Sequence, residues 1–296
     1  MITYATRKSA LALAQARAFV RTLGELAPGY DFRELHVVTS GDRVQDRALS
    51  EVGGKGLFVK EIEEALLAGE ADFAVHSLKD VPPELAPGLV IGCVPKREDP
   101  RDVLVSRSGQ GLAALPPGSR VGTSSLRRRV QLLKQRPDLE IVVLRGNVDT
   151  RLRKCREGEV DAIVLARAGL VRLGLADQAT EILAPEIMLP AVGQGALAIE
   201  LRAGDERTSA VLRAVHDEET GIAINAERGV MRAVEGNCQT PVAAFAERRG
   251  NDLWLRAMLA EPDGSRLRSD ELRSAWPNAQ DAERLGLELG QKLRQA

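Results

Sequence analysis

Apolar positions along this chain alternate between the spacing of a helix and the spacing of a strand. Ser9 is placed to cap a helix whose Leu11, Leu13, Ala16 and Val20 lead to Gly24, with Arg7 on the loop before it. Residues 32–39 read as a strand. A glycine-rich stretch, Val52-Gly53-Gly54-Lys55-Gly56, leads into a second helix in which Phe58, Ile62, Ala65 and Leu66 recur at helical spacing. After Gly69 a short strand, 71–75, delivers His76-Ser77-Leu78-Lys79-Asp80 onto a loop closed by Pro82 and Pro83.

The rhythm then repeats as strand 120–123, helix 125–135, strand 140–144, helix 150–156 and strand 162–166. Alternation of this kind predicts parallel α/β units. Two stretches read as crossings between lobes: the charged Lys96-Arg97-Glu98-Asp99-Pro100-Arg101-Asp102, and the segment after Pro190 that contains Gly193 and Gly195. Two crossings make a hinge. Beyond residue 218 the pattern changes to a helix over 223–234, strands such as 253–259, a Pro262-Asp263-Gly264 turn and an amphipathic helix from about residue 281. The expected fold is therefore α/β, with two lobes joined by a hinge and a small α+β C-terminal domain. The first lobe takes residues 1–97 and 196–215, the second 101–190, and the third domain 218–296.

Composition narrows the class. A length of 296 residues fits two or three domains. Hydrophobic residues at 44% and charged residues at 28% predict a packed interior rather than disorder. No apolar run approaches the ~18 residues that span a bilayer, and Gln15 and Arg17 interrupt the N-terminal Ala/Leu stretch, so a cytoplasmic protein without a membrane segment is expected. The three cysteines are too widely spaced for a disulfide framework, and His36, His76 and His216 form no pair at metal-ligand spacing, so no metal is expected. Cys93 sits in an apolar strand and reads as core, and Cys155 lies on a basic helix. Cys238, in the polar turn Gly236-Asn237-Cys238-Gln239-Thr240-Pro241, reads as the most accessible thiol.

Nucleotide motifs fail on inspection. Gly54-Lys55 is followed by no Ser or Thr and has Leu49 where the first P-loop glycine belongs. Gly193-Gln194-Gly195-Ala196-Leu197-Ala198 matches a dinucleotide fingerprint in spacing, but alternating Leu197, Ile199 and Leu201 continue it as a strand where that fingerprint requires a helix.

Charge distribution says more. The net charge is −1, yet residues 120–172 carry 13 basic side chains against 6 acidic ones. Gly122-Thr123-Ser124-Ser125-Leu126-Arg127-Arg128 puts three hydroxyls, a helix N-terminus and a pair of guanidinium forks at a strand's carboxyl end, and Leu144-Arg145-Gly146-Asn147 repeats the arrangement. Unpaired N–H groups, a helix dipole and arginine forks together select carboxylate or phosphate oxygens, so the expected partner is a multiply anionic small molecule. The alternative for each arginine is a solvated face with ordinary ion pairs. Asp80 beside Lys79 at another strand end is suited to accept a proton or stabilise a developing cation, the alternative being an Asx turn before Pro82.

Read together, Ala5-Thr6-Arg7-Lys8-Ser9-Ala10-Leu11-Ala12, Val52-Gly53-Gly54-Lys55-Gly56-Leu57-Phe58, His76-Ser77-Leu78-Lys79-Asp80, Arg97-Glu98-Asp99-Pro100-Arg101-Asp102, the Gly122 to Arg128 stretch, Leu144-Arg145-Gly146-Asn147, Leu189-Pro190-Ala191-Val192-Gly193-Gln194-Gly195 and Glu235-Gly236-Asn237-Cys238-Gln239 resemble the porphobilinogen deaminase family, also called hydroxymethylbilane synthases. The resemblance spans essentially the whole chain. It implies a transferase of tetrapyrrole and heme biosynthesis that condenses four porphobilinogen molecules head to tail into hydroxymethylbilane and releases ammonia. It implies two lobes of the periplasmic-binding-protein type. It also implies a dipyrromethane cofactor held by a thioether to Cys238.

Position by position, the resemblance makes Asp80 the catalytic carboxylate. Lys79, Ser125, Arg127, Arg128, Arg145 and Gln194 join Cys238 in cofactor binding, and Arg7, Ser9, Lys55, Phe58, Arg151 and Arg172 bind substrate, with Phe58 stacking over the reacting ring. Each pyrrole brings two carboxylates, so many cationic forks and one placed carboxylate suit the chemistry. Glu51 stands where the family often has lysine, and Ala10 where proline is usual after Arg-x-Ser. A two-lobed binding protein would explain the hinge and arginines but has no need of Cys238. A nucleic-acid module would explain Leu126-Arg127-Arg128-Arg129, but aromatics at 3% and the net charge oppose it. No long apolar seam is present, so a monomer is expected.

Overall fold

The structure is a computed structural model and describes residues 1–43, 59–236 and 240–296. The chain divides into two units, Met1–Glu98 with Ala196–Ile222 and Asp99–Gly195 with Ala223–Ala296.

The first unit begins with β1 (Ile2–Arg7), buried through most of its length, and α1 (Ala10–Leu26). Ser9 caps α1 as its position predicts: its backbone is extended and its Oγ accepts from Ala12 N at 3.3 Å. There follow β2 (Phe32–Val37), α2 (Ser40–Arg43), α3 (Lys60–Leu67), β3 (Phe73–Ser77) and β4 (Leu89–Cys93). The strand order is β2-β1-β3-β10-β4, where β10 is Leu197–Arg202. Strand β1 runs parallel to β2 and β3, whereas β10 runs antiparallel to β3 and β4. Alternate side chains fill the two faces. Phe73, Val75, Ile199 and Leu201 join Phe19 and Leu23 in one cluster, and Ala5 and Ala74 meet Ile62 and Leu66 in another.

The second unit repeats this order. Its strands are β5 (Asp102–Ser106), β6 (Arg120–Gly122), β7 (Glu140–Val142), β8 (Ala162–Ala166) and β9 (Glu181–Leu183), arranged β7-β6-β8-β5-β9. The helices between them are α4 (Leu126–Gln135), α5 (Val148–Arg156) and α6 (Arg167–Arg172). Here β6 is parallel to β7 and β8, and β5 is antiparallel to β8 and β9. Parallel units are therefore present in both lobes, with one antiparallel strand added to each. That added strand is in each case the first one after the chain passes between units.

Two local expectations change. Asp102, placed by its charged neighbours in a crossing, is the first residue of β5 and fully buried. His76 and Ser77, expected on a loop, are the last residues of β3, and the turn that follows is a single 3₁₀ turn, Leu78–Asp80. Pairing with β10 extends the strand, a long-range effect that local pattern does not carry.

After α7 (Glu206–Leu212) and α8 (Glu218–Ala233), strands β11 (Val242–Arg249), β12 (Asp252–Leu259) and β13 (Arg268–Ala275) form an antiparallel meander covered by α9 (Ala279–Gln295). Helices α8 and α9 cross with backbones nearly touching. A Cβ built on Gly286 would lie 2.0 Å from Ala226 O, and one on Gly229 would lie 2.4 Å from Glu283 O. Only glycine permits that approach.

Among the described residues no helix is long and apolar enough to cross a membrane. No group of three or more His, Cys, Asp or Glu side chains among them is placed to hold a metal ion.

Candidate functional site

Adjacent parallel strands end together, so each lobe gathers side chains at the carboxyl edge of its sheet. In the first unit, β1 and β3 pair directly, and their ends carry Arg7 and Ser9 on one side and Lys79 and Asp80 on the other. Lys79 and Asp80 are exposed, whereas Arg7 and Ser9 are half-buried. The Lys79-Asp80 turn is closed by Val81 N donating to Leu78 O at 3.0 Å and tied to the sheet by Leu78 N donating to Ala196 O at 3.0 Å. Of the residues expected to act together, Arg7, Ser9, Lys79 and Asp80 thus share one edge.

In the second unit, β6 leads through Thr123 and Ser124 into Ser125, the cap of α4. Ser125 Oγ accepts from Arg128 N at 3.4 Å, and Ser125 N donates to Thr123 Oγ1 at 3.1 Å. Arg127 and Arg128 follow on the first turn, and both are buried, at 5% and 6% exposure. Asp102 of β5 lies between them. Arg128 Nε and Nη2 donate to its Oδ1 at 3.2 and 2.7 Å, and Arg127 Nη2 stands 2.8 Å from its Oδ2. Gln194 joins them, donating from Nε2 to Asp102 Oδ1 at 3.0 Å and to Pro100 O at 2.6 Å. Remaining donors reach main chain, Arg128 to Val164 O and Arg127 to Leu189 O.

Two buried guanidinium groups here meet one buried carboxylate, which leaves an excess of positive charge at a helix N-terminus. Burial by itself would push the Asp102 carboxyl up, but the two arginines beside it hold it below the usual carboxylate range. The same burial pushes the Arg127 guanidinium down, against the pull of Asp102. An anion arriving at this edge relieves the imbalance. The excess charge, rather than a free guanidinium fork, is what this cluster offers a ligand that carries several carboxylates, as a dipyrromethane does. The same unit carries half-buried Arg145 before α5, Arg151 with Nε on Gly146 O at 2.7 Å, and Arg172 with Nη2 on Gly195 O at 2.6 Å. Gly146 has φ +115°, and a Cβ there would lie 2.6 Å from Thr150 Cγ2, so the turn that presents Arg145 requires glycine.

Sequence reasoning assigned no role to Asp102, because its acidic and basic neighbours made the segment look like linker. The usable signal was its place at the start of a continuous apolar run, Val103-Leu104-Val105. Glu227 was also overlooked. Fully buried in α8, it accepts from Gly193 N at 2.7 Å and from Ala246 N at 2.9 Å, fastening the Gly193-Gln194-Gly195 turn to β11. Cys93 is core as expected, and burial pushes its thiol up to about 12. Cys155 is likewise buried. Lys55, Phe58 and Cys238, together with Glu51, lie outside the described residues.

Two family models match the chain. Residues 2–210 match the porphobilinogen deaminase, dipyromethane cofactor binding domain, and residues 222–295 match the porphobilinogen deaminase C-terminal domain. A porphobilinogen deaminase of Sorangium cellulosum is 63% identical over 294 residues, covering 99% of this chain and 98% of its own. Those of Syntrophotalea carbinolica and Brevibacillus brevis are 51% and 50% identical, each covering 97% of this chain and 90% and 92% of their own. Among solved structures, the second substrate binding domain of an amino acid ABC transporter from Streptococcus pneumoniae aligns with 72% of this chain and 91% of its own at a TM-score of 0.45 and 12% identity. With both halves of the chain matched by one family and full-length relatives at half identity or more, this protein belongs to the porphobilinogen deaminase family.

Proposed function

We propose that Asp80 is the catalytic carboxylate of a hydroxymethylbilane synthase, the transferase that condenses four porphobilinogen molecules with release of ammonia. The observation that carries this reading is the separation of charge between the two strand-end sets. One exposed carboxylate with its lysine stands at the edge of the first lobe, and a buried excess of guanidinium stands at the edge of the second.

The dipyrromethane attached through Cys238 supplies the primer pyrrole to which substrate rings are joined. Ser125, Arg127, Arg128, Arg145, Gln194 and Lys79 hold its acetate and propionate groups, while Arg7, Ser9, Arg151 and Arg172, with Lys55 and Phe58, take those of the incoming ring. Arginine forks bind carboxylates in bidentate fashion and fix their orientation, which is what ring-by-ring extension requires. Asp80, placed by a short turn, stabilises positive charge as ammonia departs and receives the proton lost from the pyrrole. The chain is divided into three domains, 1–97 with 196–215, 101–190 and 218–296, a reading supported by the three sheets among the described residues. We place the enzyme in the cytoplasm as a monomer that engages no nucleic acid.

Intact-mass measurement tests the reading. Purified protein is expected to carry an adduct equal to two condensed pyrroles, lost in Cys238→Ser, and to form bilane from porphobilinogen. Ligand binding without adduct or turnover would instead indicate a two-lobed binding protein.

A further inference from the structure

Beneath the Lys79-Asp80 turn lies a polar pair that none of these assignments uses. His76 and Glu200 are 4% and 0% exposed, and His76 Nε2 stands 3.0 Å from Glu200 Oε2. Both Glu200 oxygens are buried, and neither has a partner in hydrogen-bonding geometry. Glu200 lies opposite Ala74 in the β3–β10 ladder, two residues before His76, so both side chains point to the face packed by Ile62 and Leu66 of α3. Glu63 of α3 is close enough to feel both charges.

Such a pair is costly on a face otherwise built of Ala, Ile and Leu. Desolvation of an imidazole and a carboxyl group offsets most of what they gain from each other, and an apolar pair of similar volume would be at least as stable. What the 3.0 Å contact adds is a fixed spacing between the two strands that carry it. His76 is the penultimate residue of β3, and Asp80 lies four residues on, beyond a single 3₁₀ turn. Glu200 belongs to the strand that leads directly from Ala196, whose carbonyl holds Leu78 N. The pair therefore joins, on the buried face, the two strands whose ends together fix the turn.

We propose that His76 and Glu200 are positioning residues that set the height and orientation of the Asp80 carboxylate. The inference rests on the role given to Asp80 above. Its test compares three full-length, cofactor-loaded variants with the wild type for kcat, KM, adduct mass and Tm.

The double variant His76→Leu/Glu200→Leu keeps the volume and removes the polar contact. It is expected to fold with a Tm near that of the wild type and to retain the adduct. Its kcat should fall about tenfold or more, as displacements on the order of 1 Å do, with KM changed less than about threefold. Glu200→Gln, which keeps the shape and loses the charge, should fall between it and the wild type. Wild-type kcat in the double variant overturns the proposal. If that variant does not accumulate, wild-type kcat in Glu200→Gln overturns it equally. Asp80→Asn serves as the third arm. If it too turns over at the wild-type rate, the role given to Asp80 has failed. A slow Asp80→Asn beside fast pair variants means that only the positioning role has failed.

Discussion

In the first lobe, β3, the central strand of its sheet, is followed by an exposed lysine and aspartate on a one-turn 3₁₀ segment. In the second, the corresponding strand β8 ends directly in α6, which carries Arg167 and Arg172. Strand order and cap chemistry are otherwise alike, with Ser9 and Ser125 each accepting from a backbone N–H three residues ahead. Each antiparallel strand also contributes one fully buried carboxylate. Glu200 meets a histidine and Asp102 meets two arginines. The comparison teaches that one topology supports opposite electrostatic roles. What decides between them is the partner set of the buried carboxylate and the length of the turn at the strand end.

The largest expected effect probes the second lobe. Asp102→Ala leaves Arg127 and Arg128 buried together without their carboxylate, and loss of one partner in such a cluster costs about 3–5 kcal/mol, read as a drop in Tm and in denaturation midpoint. A loss below about 1 kcal/mol would mean that the two guanidinium groups find water. In the first lobe the corresponding test is catalytic. Asp80→Asn should retain fold and adduct while single-turnover extension, followed by mass spectrometry, slows about 10²-fold or more. If it also lost the adduct, the division of labour between the lobes would be wrong.

Acid titration sharpens the contrast. The Asp102 carboxyl is held below the ordinary range, so its stabilisation is fully present above about pH 4 and is lost as pH falls through the depressed folded value. Asp102→Asn should flatten the acid limb of the stability profile. On the alkaline side Cys93, raised to about 12, contributes stability that is present below about pH 8.5 and lost as pH rises toward the folded value. The smallest effects come from the caps. Ser9→Ala and Ser125→Ala should each cost about 1 kcal/mol in thermal denaturation, and a marked inequality would show that the ligand edge adds to one of them.

Much of this was legible in the sequence because it is local. Ser9 and Ser125 announce their helices, and the alternation of apolar runs separates strand from helix. The excess of basic residues over 120–172 is legible too, and the structure places Arg127 and Arg128 of that stretch at the N-terminus of α4. What the local pattern did not carry was pairing over long separations. Nothing near Arg127 and Arg128 shows that their carboxylate arrives from Asp102, about 25 residues earlier, and that the forks are therefore buried. Likewise the extension of β3 through His76 and Ser77 depends on β10, and Glu227 gives no hint within its helix that it will hold Gly193. Motif order carried the assignment of roles that spacing alone left open.

The placement of the antiparallel strands has a consequence for how the protein is made. All five strands of the second sheet lie between Asp102 and Leu183 and are available as one continuous stretch during synthesis. The first sheet waits for β10, whose Leu197 pairs with Ser77 about 120 residues behind it. Until then β3 and β4 present unpaired backbone edges at the place where the Asp80 turn will be fixed. On the ribosome, the second lobe can therefore complete its sheet before the lobe that is translated first, and the Lys79-Asp80 turn is fixed only after all five strands of the second sheet have been made.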